Sequence, residues 1–171
     1  FFAIPLALAL TGCGGDIDLV KGGVMEFNQT TTLGKALDNW KSCESREWEE
    51  FETDNGIKVV QFTCQHKISQ YMSKAKSLLS EEEQAKANHL DIASNIQTFQ
   101  FTINQGDTFQ IDNVQVKTTW QDGTSFEDSQ KPVEQLETAY ANNLNFDPAE
   151  LNEMGAAQIS YVFSMIKMRA K

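Results

Sequence analysis

Two histidines, His66 and His89, and three cysteines, Cys13, Cys43 and Cys64, are the residues best suited to chemistry in this chain. A Cys-x-His pair stands at Cys64 and His66, with Cys43 well upstream. It lacks the doubled short spacing that closes a tetrahedral zinc site. His89 falls on a predicted helix without the His-Glu-x-x-His frame of a zinc hydrolase. The chain contains no Gly-x-Ser-x-Gly nucleophile turn, phosphate-binding loop or dinucleotide fingerprint. A Ser–His–Asp triad needs only proximity in space, so sequence leaves that arrangement open. The run Glu81-Glu82-Glu83 reads as a solvated helix start, because consecutive helical side chains diverge by about 100°. Asp122-Gly123-Thr124 lacks the remaining positions of a calcium loop. The expectation is a protein that is not an enzyme and holds no metal or cofactor.

Composition narrows the partners. Acidic residues number 24 against 14 basic ones, for a net charge of −10, and such a surface repels phosphate backbones. Nucleic acid is therefore excluded, and a basic protein partner is favoured. With 40% hydrophobic and 10% aromatic residues, the chain can fill one real core. Most aromatics read as core. Trp48 and Trp120, beside turns and charges, are the candidates for a binding face.

The N-terminal run Phe1–Leu10 is apolar and uncharged. It is too short to span a bilayer, which takes roughly 20 residues, but matches the apolar region of a signal peptide. It ends in Leu10-Thr11-Gly12-Cys13, which resembles the lipobox of bacterial lipoproteins. The resemblance implies a small envelope lipoprotein cleaved before Cys13 and carrying a diacylglyceryl thioether and acyl chains such as palmitate there. Several chains hold a protein at a membrane where one does not. On this reading residues 1–12 are a signal peptide entered partway, 13–23 a lipidated tether, and 24–171 one domain. Gly14, where an Asp would favour inner-membrane retention in enteric-type sorting, implies the outer membrane, facing the periplasm. Once Cys13 is assigned to lipid, Cys43 and Cys64 remain as an even pair in an oxidising compartment. A disulfide is then expected, contributing about 3 kcal/mol on the chain-entropy model. A metal or catalytic role with His66 is the competing reading.

The elements that must position these residues read as α+β. Val24–Asn28 is a first strand candidate, followed by Thr30–Thr32 as caps for a short helix bearing Leu33, Ala36, Leu37 and Trp40. Asn55-Gly56 joins two strand-like runs into a hairpin. Two helices follow, over 67–79 and 81–94, the second opened by a Ser80/Glu83 capping box. Alternation resumes from Gln97 to Glu127, with turns at Asn104–Asp107 and Asp122-Gly123. Val133, Leu136, Tyr140 and Leu144 form one helical stripe, and Asp147-Pro148-Ala149-Glu150 starts the last helix. The run Tyr161–Met168 is apolar enough to need burial. The expected fold is an antiparallel sheet of about four to six strands packed with helices and a long C-terminal helix. The helix-then-hairpin plan of Val24–Cys64 is loosely similar, in plan alone, to half of a beta-lactamase-inhibitor-like repeat or to the small outer-membrane assembly lipoprotein fold.

Overall fold

Alternating side chains between three glycine-bearing turns build the centre of the molecule. The computed structural model describes residues 15–171. In it β3 (Cys43–Glu52), β4 (Lys58–His66), β5 (Ile92–Asn104), β6 (Thr108–Trp120) and β7 (Ser125–Gln130) form an antiparallel sheet in sequence order. The glycines of the hairpin turns, Gly56, Gly106 and Gly123, take φ of +76°, +79° and +84°, a region that a Cβ disfavours. A separate two-stranded ribbon pairs β1 (Val24–Met25) with β2 (Asn28–Thr32). The six α-helices among the described residues make this an α+β fold, as expected.

One face of the sheet is apolar and covered. Trp48, Val60, Phe62, Phe99, Phe101 and Val114 meet α1 (Asp16–Gly22), α2 (Leu33–Asp38) and α5 (Pro132–Tyr140) in a first core cluster. At the other end, Ile92 and Trp120 meet α3 (Ser69–Ser77) and α6 (Glu153–Lys167), with Met72, Leu151 and Phe163 filling a second cluster. A short α4 (Glu81–Lys86) lies between α3 and β5. The opposite face of the sheet is polar. There Asn113, Gln100, Gln61 and Glu49 align across four strands. Asn113 donates to Gln100 at 3.4 Å, Gln100 to Gln61 at 2.8 Å, and Gln61 to Glu49. An antiparallel sheet tolerates one such watered face.

Several boundaries differ from the sequence reading. Residues 16–22 are a helix rather than a tether, because Val20 is fully buried in the first cluster. The domain thus begins ahead of Val24. Gly34 lies where α1 crosses α2: a Cβ there would stand 2.8 Å from Lys21 Cβ and 2.9 Å from its carbonyl oxygen. The first strand breaks into a ribbon, and Thr32 caps α2 by accepting from Lys35 N at 3.2 Å. The capping box forms as expected: Ser80 N donates to Glu83 Oε2 at 2.9 Å, and Glu83 N to Ser80 Oγ at 3.4 Å. The Ser80 hydroxyl, which donates to Glu83 Oε2 at 2.6 Å, and then the Ser80 N–H hold the Glu83 carboxyl below its ordinary range. The helix it opens is only six residues long, and β5 starts at Ile92. Asp147 caps a single 3-10 turn, accepting from Ala149 N at 2.8 Å, and Leu144 lies in the loop before it. Asn152 opens α6 instead, accepting from Gly155 N at 2.8 Å. Among the described residues no helix is long and apolar enough to cross a membrane.

Candidate functional site

The buried polar side chains among the described residues, Ser42, His66, Asn95, Gln97 and Thr118, belong to one belt between the two apolar clusters. Strand register places them there. Cys64 pairs across to Gln97, and Asn95 to Thr118, at the end of β4 that carries His66. Gln97 donates its amide to Gln135 Oε1 at 2.9 Å, so its oxygen is the atom that faces His66 Nε2, also at 2.9 Å. Nε2 then carries the proton, and Nδ1 accepts from the Ser42 hydroxyl at 2.9 Å. Ser42 Oγ in turn accepts from Asn145 N at 3.1 Å. The Asn145 Nδ2 stands farther off, 3.4 Å from Nε2, so the Gln97 oxygen is the nearer partner of that nitrogen. Burial is the main influence on the imidazole and pushes its pKa down, so it stays neutral. A cleft of about 510 Å³ opens over this belt, lined by His66, Asn95, Gln130, Gln135, Thr138 and Asn145.

The arrangement clasps a loop. Lys41 N donates to Asn142 Oδ1 and Trp40 Nε1 to the Asn143 carbonyl, each at 2.8 Å. With the Asn145–Ser42 bond, these fix residues 142–145 against Trp40–Ser42. Ser42 and His66 share the residue types of a nucleophile and its base, but Ser42 is only 2% exposed and its oxygen already accepts a backbone N–H. The far side of His66 meets a neutral amide rather than a carboxylate. The belt therefore positions a loop, and its polar groups satisfy one another apart from the buried Asn95 Oδ1, which has no partner.

The residues singled out from sequence fall in separate places. Cys43 and Cys64 are joined by a disulfide across β3 and β4, with Cα atoms 5.3 Å apart. Cys13 lies outside the described residues. The two tryptophans do not form a joint exposed face. Trp120 is 1% exposed, donates to the His89 carbonyl at 2.8 Å, and is roofed by Lys167 Nζ at 4.9 Å. Its place on the inward register of β6 buries it. Trp48 is half-buried on the core face, 4.9 Å from Phe62, with its indole N–H on Asp38 at 2.8 Å. His89 is tied to Ser160 at 2.7 Å and its pKa is lowered, first by burial. Glu81 and Glu82 are exposed at the start of α4. Among the described residues no group of three His, Cys, Asp or Glu side chains could hold a metal ion.

Exposed apolar side chains occur singly at Val24, Phe27, Phe51, Ile57 and Val133, but the most exposed of them gather along α6 and its C-terminal end. From Met154 to Ile166 this helix carries no charged residue. One stripe, Ala156, Ile159, Phe163 and Ile166, packs into the second cluster. The opposite stripe stays open to water: Met154 is 82% exposed, Tyr161 66%, Met165 44% and Met168 71%. A helix apolar on both sides is ordinarily covered on both sides. The sequence shows that apolar run but not that a single face of it would be buried. A comparison with known protein families, curated proteins and solved structures finds no match for the chain.

Proposed function

We propose that this chain is a lipid-anchored envelope lipoprotein whose domain works without catalysis, docking a partner protein on the exposed face of α6. The supporting observation is that uncharged stripe of methionines and Tyr161, opposite the stripe packed into the domain. Large exposed apolar patches mark interaction surfaces, and methionine suits adaptable ones. The lipobox-like Leu10–Cys13 supports acyl chains such as palmitate on Cys13, and Gly14 after it supports an outer-membrane location facing the periplasm. A photo-crosslinking residue at Met165 of the full chain in cells tests the docking reading. A discrete protein adduct, not reproduced from Thr63 on the open sheet face, supports it; equal yields from both positions contradict it. Loss of palmitate incorporation in Cys13→Ala supports the anchor, and unchanged labelling contradicts it.

A second reading rests on β3, an edge strand carrying Glu44, Glu47, Glu49, Glu50 and Glu52. This acidic edge suits an inhibitor or immunity-type lipoprotein that blocks a basic secreted hydrolase. Stoichiometric capture of a basic lysozyme-like enzyme, abolished when Glu47 and Glu49 become Lys, would favour it. Absence of such capture would remove it.

A further inference from the structure

We propose that the partner on α6 is α6 of a second copy of this chain, packed antiparallel across a two-fold axis near Tyr161. This rests on the docking reading above and names its occupant. The exposed positions Met154, Gln158, Tyr161, Met165 and Met168 step by four, three, four and three residues. That is the spacing of a heptad seam, which keeps one line of side chains facing a partner helix. Gln158 is the one polar member of the seam.

Charge favours self-association in one direction. The protein carries a net charge of −10, yet the seam itself has no charge to repel its twin. Charges gather at its two ends and differ in sign. Glu150 and Glu153 are exposed before and at the start of α6, while Arg169 and Lys171 are exposed beyond its end. An antiparallel pair centred on Tyr161 sets Met154 opposite Met168 and brings Glu153 to the end that carries Arg169. The opposed helix dipoles add to this. A parallel pair would bring like charges together at both ends. The two-fold arrangement is also the commonest way for identical chains to close. From Met154 to Met168 the seam is about 21 Å long at the helical rise. Two heptads of contact predict a reversible dimer rather than an obligate one.

Cysteine cross-linking of the full chain in cells under mild oxidation tests this. Tyr161→Cys should give a disulfide-linked dimer. Chains bearing Met154→Cys and Met168→Cys, expressed together, should cross-link at least tenfold more than either alone. Met154–Met154 links of equal yield, indicating parallel pairing, would overturn the proposal. Lipid adducts from a photo-crosslinker at Met165, with no chain–chain product, would overturn it in favour of a membrane surface. A different protein captured at Met165 overturns the self-pairing and leaves the docking reading standing. No adduct of any kind overturns both.

Discussion

At the scale of single residues, the hydrogen-bond order around His66 determines what the belt does. Ser42 stands between the Asn145 N–H and His66 Nδ1, so removing its hydroxyl leaves a buried donor and a buried acceptor unmatched. Ser42→Ala should therefore cost about 1–3 kcal/mol in urea unfolding and loosen residues 142–146 in hydrogen exchange. His66 gives a pH signature. Its folded pKa lies below the ordinary 6.5, so in acid the unfolded chain takes up a proton that the native chain refuses. Stability from this group is present above pH 6.5 and falls as pH drops from 6.5 toward the lowered value. Urea midpoints between pH 7.5 and 5 should decline, and His66→Gln should reduce that decline to the part that His89, also lowered by burial, contributes. Asp122 acts lower on the scale: hydrogen bonds from Lys167 and Thr124 hold it at about 2, so its contribution fades only in stronger acid. The belt was only partly legible in sequence. Asn95 and Gln97 occupy inward positions where alternation leads one to expect apolar residues, and Asn95 hid the part of β5 before Gln97 and lengthened the helix read before it.

At the scale of elements, caps and turns decided which segments were readable. The Ser80/Glu83 box and the three glycine turns act locally, so sequence located them correctly. The start of α6 was misplaced because Asp147-Pro148 satisfies the same local rules but closes only one 3-10 turn before Leu151 is drawn into the second cluster. Asn152→Ala should thus destabilise the protein by about 1 kcal/mol, measured by thermal unfolding and converted through the unfolding enthalpy, and should fray α6 in hydrogen exchange. Asp147→Ala should leave α6 protection unchanged. Helix α1 was missed for the opposite reason. Its local signals are weak, and burial of Val20 beneath the sheet end holds it in place.

At the scale of the whole molecule, two apolar clusters share one sheet, and the disulfide ties β3 to β4 beside the belt. The bridge spans 21 residues of sequence, so reduction, or Cys43→Ala with Cys64→Ala, should cost about 2–4 kcal/mol in urea. The antiparallel hairpins, the α+β class and this pairing could be read from alternation, turn chemistry and cysteine arithmetic. The open face of α6 could not, because periodicity records apolar positions without saying which of them neighbouring elements will cover. The central claim concerns that face, and Tyr161→Glu with Met165→Glu in the full chain tests it most directly. Both side chains are exposed, so the melting temperature should hold within about 2 °C of the parent. Chemical cross-linking of intact cells should meanwhile lose the adduct that the parent chain forms. An adduct retained at the parent's yield by the folded double variant would contradict docking through α6.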